Sequence, residues 1–176
     1  MMLAIVSGWL VWQLPYINWY PVVPPIDARP LMLRVDAGGD GHFLAPRSGH
    51  RQHRGIDLVA ELKSPVRAIR SGRVITVERH KGLGHYVEID HGRGLQSVYA
   101  HLRDVDVVEG QRVHQGAVVG HVGKSGNARF SRIMPHLHLE VLRDGTPINP
   151  IAVGLIVSEP LTTVAQMART DERGGE

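Results

Sequence analysis

The sequence has no cysteine among its 176 residues, and this absence excludes several kinds of chemistry. Disulfide cross-links, thiol nucleophiles, lipid-modified cysteines and thiolate metal sites all need that side chain. Any transition metal would therefore have imidazole and carboxylate ligands. Aromatic residues are also scarce: the 11 histidines outnumber the Phe, Trp and Tyr residues, which total nine. Metal binding is therefore a question that this composition raises.

Runs of basic residues are missing as well. The formal net charge is +3, and the 20 Lys and Arg residues are scattered along the chain. Nucleic-acid binding needs clustered basic residues interleaved with aromatics, and beyond residue 20 only four aromatics remain. The composition argues against a nucleic-acid partner and suits weak attraction to an anionic surface. With 43% hydrophobic residues, the chain is long enough for one domain with a modest extension.

Charged side chains are absent from the first 26 residues. Residues 1–14 are almost all apolar, Pro15 follows them, and Trp and Tyr are concentrated between residues 9 and 20. An apolar stretch followed by such aromatics is typical of a membrane-spanning segment, although 14 helical residues reach only about 21 Å. We predict a membrane anchor or export segment over residues 1–20, with an apolar arm packed on the domain as the alternative. Four prolines then predict a stiff linker over residues 21–35.

The remaining chain has the pattern of β-structure. Short runs of Val, Ile and Tyr alternate with glycine turns, and no window of a dozen residues has a strong helical period. This pattern predicts an all-β fold, either an antiparallel sheet or an open β-sandwich. A short helix is predicted around Thr162–Ala168, followed by a frayed tail. The clearest predicted strands are Val74–Val77, Tyr86–Ile89, Leu95–His101, Ala117–Val122 and Leu137–Leu142.

Two short spacings bring potential metal ligands together. His53 and Asp57 are four residues apart and share a face in either a helix or a strand. His136 and His138 share one face of a predicted strand, and the leucines that alternate with them would face the core. Without cysteine, a catalytic zinc site needs three His or carboxylate ligands and an open position for water. His53, Asp57 and one histidine of the pair supply that number.

A further candidate, His101, ends the predicted strand Leu95–His101. Alternation places Ser97, Tyr99 and His101 on a polar face and residues 98, 100 and 102 on a buried one. Taken alone, such a histidine is more often a hydrogen-bonded or solvated residue than a ligand. Glu140 would share the face of His138, where a surface role is expected and a contact with a metal-binding histidine is the alternative.

In their order and spacing these motifs resemble the lysostaphin-type (LytM-like) zinc metallopeptidases. The resemblance covers roughly residues 40–150 and rests on HRGID at 53–57, YAHL at 99–102 and PHLHLE at 135–140. It implies a lysostaphin-like (duplicated hybrid motif) all-β domain, which we assign to residues 36–152. The polar tail predicts a partly disordered C-terminal extension over residues 153–176. The implied site has one Zn²⁺ per chain bound by His53, Asp57 and His138, with His101 and His136 as catalytic residues.

The resemblance implies a zinc-dependent endopeptidase that acts on bacterial peptidoglycan at the cell envelope, with metal-activated water as the nucleophile. A non-catalytic relative that binds the wall or activates another hydrolase is the alternative, but such relatives typically lack metal ligands, and all five positions are present here. A biotinyl or lipoyl carrier domain has similar glycine-punctuated hairpins. Its modifiable lysine has Met neighbours, which Lys63, Lys81 and Lys124 lack.

One segment departs from the family pattern. A turn similar to Ser-Thr-Gly usually precedes Pro-His-Leu-His, and Ser131–Met134 takes its place here. This bulkier, cationic segment borders the implied substrate groove and leaves the preferred peptide open. Glycyl-glycine bonds and D-amino-acid cross-links are both candidates.

Overall fold

Short β-strands account for most of the regular structure, as the alternation in the sequence predicts. The computed structural model describes residues 18–160. Two 3₁₀ helices, Gly126–Arg129 and Pro150–Val153, accompany the strands. In chain order the strands are β1 (Val35–Asp36), β2 (Gly39–Asp40), β3 (Pro46–Arg47), β4 (Arg51–Gln52), β5 (Ile56–Val59), β6 (Pro65–Arg67), β7 (Gly72–His80), β8 (Gly84–Asp90), β9 (Leu95–Val105), β10 (Arg112–Val113), β11 (Val118–Val122), β12 (His136–Arg143) and β13 (Thr146–Ile148).

Nine of these strands, β5 to β13, form one antiparallel sheet. One edge runs in the order β10-β7-β8-β9. The long strand β9 then divides its other side between two partners: its first half pairs with β12 and its second half with β11. Strand β12 also pairs with β5 and β13, and β11 pairs with β6. The all-β prediction is confirmed, and each of the five predicted strands falls on a strand of this sheet.

The register of four adjacent strands separates the core face of the sheet from the face that carries the site. Val87, Tyr99, Leu139 and Ile56 lie opposite one another across β8, β9, β12 and β5, and all four are at most 1% exposed. Residues one step along point the other way, because successive side chains of a strand alternate. Asp57 of β5 and His138 of β12 are paired in the register on that opposite face.

The prediction that Ser97 and Tyr99 lie on a polar face is wrong. Tyr99 is completely buried in the core, where burial raises the pKa of its hydroxyl to about 12. Its hydroxyl oxygen accepts a hydrogen bond from the Ile69 amide at 2.8 Å and lies 2.9 Å from Ser97 Oγ. Both faces of β9 are covered, so the alternation of polar and apolar residues does not report which face meets water.

A bulge in β9 separates His101 from this alternation. Between the pairs Val87–Tyr99 and His85–Leu102, β9 contains one residue more than β8. His101 has a φ of 63°, in the left-handed region that non-glycine residues seldom adopt. Its amide donates to the carbonyl of Leu83 at 2.8 Å. Such bulges redirect side chains, and this one directs His101 to the same side of the sheet as His138.

Segments on both sides of the sheet strands also contribute to the core. Ile26, Leu31 and Leu33 are buried, although they belong to the segment 21–35 that the prolines predict as a linker. Leu155, in the predicted C-terminal extension, is buried as well. Residues 1–17 and the predicted helix Thr162–Ala168 lie outside the described residues. Between residues 18 and 160, no helix is long and apolar enough to cross a membrane.

Candidate functional site

Three predicted ligands meet at one point on the outer face of the sheet. His53 Nε2 lies 3.1 Å from Asp57 Oδ1 and 3.0 Å from His138 Nδ1, and the last two atoms are 2.9 Å apart. Zinc–ligand bonds of about 2.0–2.1 Å in tetrahedral geometry place ligand atoms roughly 3.3 Å from one another. All three side chains are buried. The spacing and chemistry of these donors therefore fit a metal ion such as zinc.

The second nitrogen of each imidazole has a fixed acceptor. His53 Nδ1 lies 2.8 Å from the His42 carbonyl oxygen, which can only accept, so the proton of the neutral ring is on Nδ1 and the lone pair is on Nε2. His138 Nε2 lies 3.1 Å from Glu140 Oε1 and donates to it, which leaves Nδ1 for the metal. Outer partners of this kind orient metal-ligating histidines. Both rings therefore present the correct nitrogen to the same point.

Glycine at position 55 allows β5 to approach β12 this closely. A Cβ atom at Gly55 would lie 2.2 Å from the carbonyl oxygen of Leu139, a distance that no side chain tolerates. Gly55 stands between His53 and Asp57 in the sequence, so the same short motif supplies two predicted ligands and the space to pack them against His138. This close approach explains in physical terms why glycine is needed within HRGID.

A buried arginine that the sequence analysis did not select, Arg34, holds the other oxygen of Asp57. Its Nη2 donates to Asp57 Oδ2 at 2.8 Å, and its Nη1 donates to Asp36 Oδ1. Asp36 Oδ2 in turn accepts from the amide of Met134 at 2.7 Å. Oδ1 of Asp57 is thereby left to the two histidines. The one signal in the sequence was a single charged residue within the apolar run Leu31–Val35.

Glu140 is buried at the site, so the expected surface role is wrong. Only 6% of its surface is exposed, and it lies between His138 and the guanidinium of Arg54, whose Nε is 3.5 Å from Oε2. Burial raises the pKa of Glu140, but the hydrogen bond from His138 and the positive charges of His138 and Arg54 together outweigh it and leave that pKa below its usual value. The alternation of side chains along the strand correctly assigned Glu140 to the face of His138. It could not show that other residues cover this face and bury Glu140.

The two predicted catalytic residues lie beside the ligands. The ring of His101 is 4.9 Å from that of His136 and 5.7 Å from that of His138, centroid to centroid. His136 Nε2 is 3.8 Å from Asp57 Oδ1. On the far side, His101 Nδ1 donates to the Ser125 carbonyl at 3.1 Å and His136 Nδ1 to the Met134 carbonyl at 2.7 Å.

Both of these histidines are neutral in the folded protein. Burial lowers the pKa of His101 to about 3, and the positive charge at His138 acts in the same direction. Burial also lowers the pKa of His136, against the attraction of Asp57. Because each Nδ1 carries the proton that its carbonyl partner requires, each Nε2 has a free lone pair. This is the state that a proton acceptor needs at neutral pH.

All five predicted site residues line a single open cleft of about 1000 Å³. Its walls come from the β3–β4 hairpin, the 3₁₀ helix Gly126–Arg129 and the segment that precedes β12. A separate group on the exposed surface, Asp104, Asp106 and His121, also brings three potential ligand atoms within 4.8 Å of one another. There His121 Nδ1 lies 2.7 Å from Asp104 Oδ1, which is an ordinary hydrogen bond between surface side chains.

Comparison with known proteins identifies relatives of this chain. Residues 51–150 match the model of peptidase family M23. The DD-carboxypeptidase/endopeptidase Mpg of Neisseria meningitidis is 39% identical over 62% of this chain and 24% of its own length. The peptidoglycan DD-endopeptidase ShyC of Vibrio cholerae is 34% identical over 81% of this chain and 31% of its own length. Stage II sporulation protein Q of Bacillus subtilis is 33% identical over 65% of this chain and 40% of its own length.

Solved structures agree with this result. A zinc-containing peptidase from Vibrio cholerae has a TM-score of 0.61 and 28% identity over 81% of this chain and 41% of its own. The catalytic domain of lysostaphin from Staphylococcus simulans has a TM-score of 0.56 and 26% identity over 65% of this chain and 88% of its own. The chain spans about a quarter to two fifths of the length of the curated relatives named above. It belongs to peptidase family M23, and its fold is the lysostaphin-like antiparallel β-fold of that family.

Proposed function

We propose that the protein is a zinc-dependent endopeptidase that hydrolyses peptide bonds of bacterial peptidoglycan. One observation carries the proposal: donor atoms of His53, Asp57 and His138 converge within 3.1 Å, and two neutral histidines lie beside them in the same cleft. Relatives named as peptidoglycan endopeptidases support the substrate. Because this substrate lies in the cell wall, we expect the protein in the bacterial cell envelope.

His53, Asp57 and His138 would hold one zinc ion per chain, through Nε2, Oδ1 and Nδ1 respectively. When bound, zinc supplies Lewis-acid chemistry, because it acidifies water and polarises a carbonyl. Arg34 engages Asp57 Oδ2, which favours coordination by a single carboxylate oxygen. Three protein ligands are the number typical of a catalytic zinc site, in which one position stays open.

His101 and His136 would move the protons of the reaction. Each has a free Nε2 lone pair at neutral pH, so either can accept a proton from the attacking water. The same nitrogen, once protonated, can donate a hydrogen bond to the developing oxyanion or a proton to the departing amine. We assign these duties to the two histidines jointly.

Purified peptidoglycan sacculi provide the direct test. The full chain loaded with zinc is expected to release soluble peptides with new amino and carboxyl termini, and mass spectrometry of these fragments identifies the bond. A chelator should stop the release and added zinc should restore it. If sacculi remain intact with the zinc-loaded protein, the endopeptidase proposal is wrong.

Zinc affinity is expected to rise about tenfold per pH unit between roughly pH 6.5 and 8.5. Burial lowers the pKa of His138, but the hydrogen bonds to Asp57 and Glu140 and the negative charges of these two groups together outweigh it and raise this pKa to about 9 in the metal-free protein. Asp57 is already ionised, since its pKa lies well below the usual value. Zinc must therefore displace one proton from His138, and this competition weakens as pH rises toward 9.

Competition with a chromogenic chelator, corrected for the chelator's own protonation, measures this slope. Glu140→Gln is the informative companion variant, because it removes one negative charge that favours the charged ring. In that variant the dependence on pH should level off at a lower pH. An affinity that does not change over this range would contradict the protonated state of His138.

A non-catalytic wall-binding or activating module is the second candidate function. Its support is the similarity to Stage II sporulation protein Q, a protein whose solved structure with SpoIIIAH is described as a pore-forming complex. The sacculus experiment separates the two functions. A binding module would sediment with sacculi and release no fragments, with or without zinc.

A further inference from the structure

The cleft around the proposed zinc site is strongly cationic. Among the described residues, five arginines line it, at positions 34, 47, 51, 54 and 132, and Asp57 and Glu140 are its two carboxylates. Both carboxylates are buried, whereas most of these guanidinium groups reach the solvent-filled part of the cleft. A substrate that enters therefore meets an excess of positive charge.

The two carboxylates already have partners within the protein. Asp57 is held by Arg34 and two histidines, and Arg47 Nη2 lies 3.6 Å from its Oδ2. Glu140 is held by His138 and lies beside Arg54, as described above. The charges of Arg34, Arg47 and Arg54 are thus partly neutralised by these two carboxylates. The positive charge that is available to a ligand lies on the other two arginines of the cleft.

Arg51 and Arg132 are those two residues. In the part of the chain that the structure describes, Arg51 donates to the carbonyl and hydroxyl oxygens of Ser48, and neither arginine pairs with a carboxylate. The guanidinium of Arg132 lies over the ring of Phe130, 5.2 Å from its centroid. Stacking on a ring face leaves the N–H edge of a guanidinium available to an acceptor.

Guanidinium groups bind carboxylates through two parallel hydrogen bonds, and a cleft with one sign of charge concentrates ligands of the other sign. We propose that Arg51 and Arg132 bind free carboxylates of the substrate, so that the cleft selects an acidic peptide over a neutral one such as oligoglycine. The inference rests on the proposed peptidase function and names its substrate class. It assigns the cationic segment Ser131–Met134 a role in specificity.

Three synthetic peptides test this selection: a peptidoglycan stem peptide with free carboxylates, the same peptide with those groups amidated, and pentaglycine. For the zinc-loaded protein, kcat/KM for the free peptide is expected to exceed that for the amidated one by about tenfold. This preference should shrink at high salt.

Arg51→Gln and Arg132→Gln should each reduce the preference for the free peptide several-fold, and the double variant should remove it. Arg143→Gln, an exposed arginine at the end of β12 and outside the cleft, is the matched control and should leave it unchanged.

A binding measurement separates the two proposals. Fluorescence anisotropy with labelled free and amidated peptides, recorded in the presence of a chelator, reports recognition without turnover. The free peptide could bind more tightly, in a manner that depends on Arg132, while no peptide is cleaved by the zinc-loaded protein. That result would support carboxylate recognition and overturn the peptidase proposal. The carboxylate proposal would be overturned if free and amidated peptides had equal kcat/KM and equal affinity. It would also be overturned if the preference survived in the double variant. Neither result would bear on the peptidase proposal.

Discussion

Replacing His138 with alanine is expected to abolish both zinc retention and peptide hydrolysis, whereas His101→Ala keeps zinc and loses turnover. Nδ1 of His138 is one of three donor atoms that converge, and its loss leaves two ligands. From the binding energy of zinc sites, one ligand accounts for roughly a hundredfold or more in affinity. His101 lies beside this group without belonging to it. Removing a general acid–base residue costs about 10²–10⁴ in rate.

Metal content after gel filtration, measured by mass spectrometry for both variants, separates the two roles. Circular dichroism should confirm that each variant retains the β-fold. His114→Ala, at an exposed position outside the cleft, is the control for loss of a histidine. Equal loss of zinc in the two variants would show that the ligand and catalytic assignments are wrong.

Replacing Arg34 with methionine is expected to destabilise the metal-free protein by about 3–5 kcal/mol at neutral pH. Arg34, Asp57 and Asp36 have side chains no more than 10% exposed, so the substitution leaves Asp36 without its cation and Asp57 with only His138 and the more distant Arg47. Methionine retains much of the volume and thus isolates the effect of charge. Urea unfolding followed by circular dichroism measures the change in the free energy of unfolding.

The matched control is Arg67→Met, which removes a solvent-exposed pair with Asp27. Exposed pairs contribute about 0–1 kcal/mol, so this variant should be close to the wild type. Combining Arg34→Met with Asp57→Asn should recover part of the loss, because the buried charge is then removed together with its partner. A loss for Arg34→Met as small as that for Arg67→Met would contradict the role of Arg34 as the compensating cation.

Local patterns in the sequence were sufficient to predict the all-β fold, whereas the meeting of His53, Asp57 and His138 was implied by the family resemblance. Runs of β-branched residues between glycines specify strands wherever they lie in the sheet, so the strands around Val74, Tyr86 and Leu137 were predicted correctly. The spacing of His136 and His138 fixes a shared face in any strand. The roles of these residues as ligands and catalysts are still predictions.

Features that depend on distant contacts could not be predicted. Glu140 was expected at the surface because periodicity assigns a face without showing what covers it. Tyr99 was assigned to the wrong face since its hydroxyl finds partners within the core, which makes a polar residue compatible with burial. Arg34 is 23 residues from Asp57, and no local pattern connects the two. The direction of His101 depends on an extra residue in β9, which only pairing with β8 reveals.

The left-handed backbone at His101 has an evolutionary consequence. A non-glycine residue in such a conformation costs on the order of 1–3 kcal/mol, which glycine would not incur. A mutation from His101 to glycine would therefore remove the imidazole and relax the chain at the same time. This gain in backbone freedom would offset part of the stability lost with the buried imidazole and its hydrogen bond to the Ser125 carbonyl. On the proposed function, this one substitution would turn a hydrolase into an inert scaffold, and selection for turnover would keep the histidine in place.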